Sequence, residues 1–173
     1  YETVTQEATI TIDKRPVTIK VADASKPYGT ADPAFAAPQI EGLVKGSDLG
    51  EVKVYRTNDA EDVDTYKDVL DVTYTKNENY TVTVDKGDFT IYTNTTDLTA
   101  TAENVKKTYD GNAYGTEVVR SLEDATIRFW NEETEAYDLE QSPTRTNVGT
   151  TTVKYEVSKT GYETVTGEAT ITI

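Results

Sequence analysis

Residues 1–12 read YETVTQEATITI and residues 162–173 read YETVTGEATITI. Eleven of the twelve positions match at a constant offset of 161, the exception being Gln6 opposite Gly167. Chance does not produce such a match, so the chain reads as a slice of a tandem array. On this reading residues 13–173 are one repeat unit, and residues 1–12 are the closing strand of the unit before it. Tyr1 is not a natural start and no signal peptide opens the chain, which reinforces the expectation of a larger parent.

A fainter repeat lies inside the unit. VTIKVADASKPYG (17–29) falls over LTATAENVKKTYD (98–110), with Val17/Tyr28 over Leu98/Tyr109 at an offset of 81. NYTVTVDKGDFTI (79–91) falls over GYETVTGEATITI (161–173) at an offset of 82. The unit thus divides into two diverged modules, 13–93 and 94–173. The junctions, Asp13-Lys14-Arg15-Pro16 and Tyr92 to Asp97, are short and are not Gly/Ser linkers, so limited motion and an elongated rod are expected.

The local pattern is that of strands. Apolar residues alternate with polar ones in Val17/Ile19/Val21, Val52/Val54, Val72/Tyr74, Tyr80/Val82/Val84 and Phe89/Ile91. Module two repeats the pattern in Leu98/Ala100/Ala102, Ile127/Phe129, Val153/Tyr155/Val157 and Ile171/Ile173. Period-two alternation marks sheets that are wet on one face. Thr alone contributes 32 residues, with 18 Val and only 6 Leu, a bias toward strand formers. An all-β fold of two tandem small β modules follows, each an Ig-like sandwich or a β-grasp-like sheet. Asp59 to Leu70 fits either a helix or a loop leading into a strand, and the internal alignment favours the strand. A short helical turn is expected within residues 41–50.

Composition removes most chemistries. The chain has no Cys, Met or His, so disulfides, thiol nucleophiles, imidazole metal sites and His-containing catalytic triads are excluded. A formal charge of −14 with no basic block makes nucleic acid a poor partner. No apolar run approaches the length of a membrane-spanning helix, so no membrane insertion is expected. The chain is expected to be a monomer, with no cofactor and no catalytic site.

Four groups of residues are nonetheless candidates. Asp59, Glu61, Asp62 and Asp64 form an oxygen-rich loop of the kind that binds Ca²⁺, but without the central Gly and distal Glu of an EF-hand loop. A solvated acidic loop is the simpler reading, as it is for Glu132, Glu133, Glu135, Asp138 and Glu140. Trp130 alternates with Phe129, so one ring points inward and the other outward. Trp130 with Tyr137 would then form a ligand surface, or else cover a sheet face. Tyr28-Gly29 and Tyr109-Asp110-Gly111 recur at equivalent places as turns, each with a positive-φ Gly and a Tyr ring pinning the turn to the core. Lys106 or Lys107 with Asn147 is a pairing for an intramolecular isopeptide bond, whose chemistry needs a Lys, an Asn and a carboxylic acid close together in an apolar core.

The order of motifs carries a resemblance. SKPYGTADPAF, GLVKGSDL, DVDTY, NYTVTV and GDFTI in sequence resemble the MBG-type repeat of the YGX variety. KKTYDGNAYGTEV, ATIRFW and NVGTTTVKYEVSKTGYETVTGEATITI are similar to YDG-type repeats. Asp64 stands where Gly usually precedes Thr-Tyr, and module one has Tyr-Gly where module two has Tyr-Asp-Gly. The resemblance implies an extracellular, non-catalytic stalk or spacer repeat in a large adhesin-like protein, secreted or attached to the cell wall of a Gram-positive bacterium. Its partners would be neighbouring repeats of the same chain. The competing reading is a module that binds host glycan or host protein through the Trp130 region.

Overall fold

The computed structural model describes Tyr1 and residues 3–173. The fold is all-β, with fourteen strands and no helix among the described residues. Cα packing separates two compact units. The first comprises residues 1–26, 32–60 and 64–90, and the second residues 27–31, 61–63 and 91–173.

The first unit is built from β1 (Arg15–Lys20), β2 (Ala24–Pro27), β3 (Gln39–Glu41), β4 (Lys53–Arg56), β5 (Asp64–Thr73), β6 (Tyr80–Asp85) and β7 (Gly87–Tyr92). A small sheet has the order β3-β1-β6, and a main sheet the order β2-β7-β5-β4. β1 runs antiparallel to β3 but parallel to β6, with Ile19 opposite Val84. Alternation explains the core. Val17 and Ile19 of β1, Val72 of β5, Tyr80 of β6 and Leu49 form one buried cluster fed by both sheets. The Tyr80 hydroxyl donates to Asp48 and accepts the Val44 amide (3.2 Å), so the ring is buried while its polar tip is satisfied.

The second unit contains β8 (Ala100–Ala102), β9 (Val105–Lys106), β10 (Val118–Arg120), β11 (Thr126–Asn131), β12 (Ala136–Leu139), β13 (Thr150–Ser158) and β14 (Val165–Thr172). Its sheets have the orders β10-β8 and β12-β11-β13-β14-β9. Leu98, Val118, Phe129, Val153, Tyr155, Val157 and Ile171 share one core. β14 pairs along its length with β13 and, at Ile171 and Thr172, runs parallel to β9.

Part of the strand order recurs in the two units. The sequence offset of about 81 lays β1 over β8, β3 over β10, and β2 over β9. In the main sheets β2-β7-β5 corresponds to β9-β14-β13 at about this offset, whereas β4 falls over β12 and not over the β11 that lies beside β13. Where the strands correspond, the positions of the apolar residues, not their identities, fix which face is buried.

Two local readings are now decided. Asp64–Thr73 is strand, with residues 59–63 as the loop before it. Residues 41–50 carry no helical turn. They form two reverse turns instead, closed by Asp48 N donating to Lys45 O (3.0 Å) and Gly50 N to Ser47 O (3.0 Å). Gly46 and Gly50 bracket this stretch, and neither favours continued helix.

The surface of the first unit carries one strongly shifted carboxyl. Glu78 accepts from Lys76 (2.8 Å) and Lys14 (3.0 Å), and these bonds push its pKa down from 4.5 to about 2. A ¹³C titration of its carboxyl should therefore give a midpoint of about 2, returning toward 4.5 in Lys76→Ala. The stabilising effect is present in full above the ordinary value and fades as the pH falls toward the folded-state value. All three side chains are exposed, so the contribution to stability is small.

Candidate functional site

Trp130 and Phe129 are adjacent in β11 and face opposite ways, as the alternation requires. Phe129 lies in the core, whereas Trp130 sits half-buried on the wet face. There it is clasped by its neighbours across the strands. The Tyr137 ring meets it edge-on with centroids 5.1 Å apart, and the Lys154 ammonium lies 5.6 Å from the indole centroid. A positive charge over an indole face is favourable, and it occupies the surface on which a sugar ring would stack. The adjoining hairpin holds the second acidic cluster. Thr134 donates to Asp138 (2.7 Å), and bonds from Thr134 and then Asn131 lower the Asp138 pKa. Glu132, Glu133, Glu135 and Glu140 are exposed.

The two Tyr-containing turns differ. Gly29 and Gly111 both take positive φ, +78° and +83°, as expected. In the second unit Tyr28 packs edge-on against Tyr162, with centroids 5.6 Å apart, so that ring does anchor its turn. Tyr109 does not: it is 58% exposed, against expectation. Its place is taken by Tyr114, whose hydroxyl donates to Asp110 (2.6 Å) while the Asn112 amide also donates to that carboxylate (2.9 Å). The bond from Tyr114, followed by those from Asn112, lowers the Asp110 pKa. The alternative anchor lies five residues beyond Tyr109, and alternation alone does not choose between them.

Asn94 went unnoticed in the sequence. It is a polar side chain buried to 1% exposure. Its amide donates to Tyr28 O (3.0 Å) and Asp97 Oδ2 (2.8 Å), and its oxygen accepts from the amides of Thr96 and Asp97 (3.1 Å each). Its backbone forms a bridge with Tyr162. Asn before Thr-Thr-Asp is a turn-type signal, but nothing in one dimension links it to Tyr28.

A second group missed by sequence reading lies in the first unit. Lys26 Nζ is 2.8 Å from Asp32 Oδ1, and Arg56 Nε is 3.1 Å from Asp32 Oδ2. Both cations approach the ring of Phe89, which Phe35 meets edge-on at 6.0 Å. The Lys26 side chain is only 4% exposed. Lys26, Asp32 and Phe35 all come from the SKPYGTADPAF stretch, which brackets its turn with one cation, one anion and one ring.

The Asp59, Glu61, Asp62 and Asp64 loop is exposed. Asp64 turns its carboxylate back on the Thr65 amide (2.7 Å), and among the described residues no three acidic side chains converge as a metal site would need. Lys106, Lys107 and Asn147 are exposed, so the apolar setting that an isopeptide bond requires is missing there.

Residues 17–90 match the MBG domain family of the YGX type. That MBG family is a repeat family found in surface proteins, and it is not an enzyme family. The match takes in Tyr28, Gly29 and the whole Lys26–Asp32–Arg56–Phe89 group, and it covers none of residues 94–173. The Trp130 surface therefore lies outside the MBG stretch. No curated protein and no solved structure matches the chain.

Proposed function

We propose that this chain is a non-catalytic spacer unit from the stalk of a large bacterial surface protein, an MBG module followed by a YDG-type module. Its partners on this reading are neighbouring repeats of the same chain, and its setting is extracellular. One observation carries the proposal. The twelve-residue stretch 162–173, which contains β14, recurs as residues 1–12, where none of the described residues lies in a strand. Ile171 is 0% exposed, whereas its counterpart Ile10 is 88% exposed. A strand sequence kept intact without a partner makes sense where a preceding unit supplies one.

Composition adds support. A chain without Cys, His or Met, with its acids spread over turns and wet faces, is suited to length and durability. Deleting one unit from the parent should then change reach without changing ligand choice.

The competing reading, glycan or host-protein binding, draws on the outward-facing Trp130. Trp130→Ala separates the two. As a spacer the variant should lose about 1–2 kcal/mol of stability, from the Tyr137 and Lys154 ring interactions, and neither it nor the parent sequence should give a glycan-array signal. Specific glycan capture that disappears in a folded Trp130→Ala chain would overturn the spacer role.

A further inference from the structure

The repeated dodecamer poses a problem of identity. Residues 1–12 and 162–173 differ only at Gln6 and Gly167, so a strand from one copy or repeat should be able to take the seat of β14 in another. Val4, Ala8, Ile10 and Ile12 correspond to Val165, Ala169, Ile171 and Ile173, the core-facing set. In residues 1–12 this apolar stripe is exposed, at 81% for Val4 and 90% for Ile12. An exposed strand sequence with a preformed seat elsewhere is the usual precondition for strand exchange.

The single mismatch falls where it matters most. Gly167 pairs directly with Tyr155 of β13 and faces the core. A Cβ placed on Gly167 would lie 2.3 Å from the Tyr155 hydroxyl oxygen and 2.5 Å from Cζ. Tyr155 is 4% exposed and sits between Val153 at 1% and Val157 at 0%, so displacing its ring would disturb the packed core. Any side chain at this position overlaps the ring, and Gln adds a polar amide to the apolar core it would enter.

We propose that the Tyr155–Gly167 pair is a specificity device that admits β14 to its seat and excludes the otherwise identical segment 1–12 of a second copy or neighbouring repeat. Discrimination rests on a clash built against the wrong strand rather than on contacts added for the right one. The inference rests on the dodecamer duplication and not on the spacer role. Glycan capture at Trp130 would remove the spacer reading and leave this one standing.

The test uses the full chain and an exposed position. Wild type, Gln6→Gly and Gln6→Ala are unfolded in denaturant and refolded at high concentration, and the oligomer fraction is read by size-exclusion chromatography with light scattering. Gln6→Gly makes the two dodecamers identical and should raise the oligomer fraction several-fold. Gln6→Ala keeps a Cβ and should behave as wild type. An unchanged fraction in Gln6→Gly, or an equal rise in Gln6→Ala, overturns the proposal. Gly167→Ala provides a second measurement: its denaturant midpoint, followed by Trp130 emission, should fall clearly, and an unchanged midpoint also overturns it.

Discussion

Asn94→Leu should destabilise the second unit by roughly 3–5 kcal/mol. The leucine keeps the branched shape and heavy-atom count of the asparagine, in a bulkier side chain, and offers no polar atom. The amides of Thr96 and Asp97 and the carbonyl of Tyr28 would each lose the partner that Asn94 provides. A buried backbone group left without a partner costs about 1–3 kcal/mol, and three groups are affected. Partial access of water to the turn sets the expected value below the full sum. Trp130 lies in the same unit, so its emission across a denaturant series reports the change directly. A loss below about 1 kcal/mol would show that the turn holds without its central side chain.

Asp32→Asn should cost the first unit about 2–4 kcal/mol, because it removes a carboxylate held between two largely buried cations while keeping the shape of the side chain. Lys26 and Arg56 are 4% and 9% exposed at their side chains, and both flank the Phe89 ring. Cations brought this close repel each other unless an anion lies between them. Lys26→Met is the informative contrast. It keeps the apolar stem and removes one charge, and replacing buried ionic groups with apolar ones of similar volume is often close to neutral. Hydrogen exchange at the amides of Phe89 and Ile91 should therefore accelerate strongly in Asp32→Asn and much less in Lys26→Met. Equal acceleration in both would assign the effect to packing and not to charge.

The strand plan was legible where alternation runs for three or more positions. Val17/Ile19/Val21, Tyr80/Val82/Val84 and Val153/Tyr155/Val157 all fall in or beside strands, with their apolar members turned inward. The short strands β2, β3, β9, β10 and β12 were not singled out. Strands this short give little period of their own; β2, β3, β9 and β12 each lie along a longer strand, and β10 pairs with β8 of equal length. The outward turn of Trp130 followed from its neighbour Phe129, but the Lys154 that covers it lies on another strand, 24 positions on. Asn94 and the Lys26 group were hidden for the same reason. Their distant partners, Tyr28 for Asn94 and Arg56 and Phe89 for the Lys26 group, are brought in over separations that no local pattern spans. The exposure of Tyr109 marks the limit of reading a turn from a repeat alone: the copies share the Gly, while the anchoring ring has moved to Tyr114.

The parallel pairing of β1 with β6 has a consequence in time. Arg15 lies opposite Tyr80, 65 positions on, and Val105 lies opposite Ile171, 66 positions on. Neither unit can close until almost all of it has been made, and such long-range closure is slow. At about 5–20 residues per second of synthesis, each opening strand waits several seconds for its mate. The segment 1–12 leaves the ribosome 161 residues ahead of its near-twin β14, on the order of ten seconds earlier. When β13 emerges, the wrong strand has therefore long been available and the right one does not yet exist. The order of synthesis favours the error, and on the proposal above the ring of Tyr155 is what stands in its way.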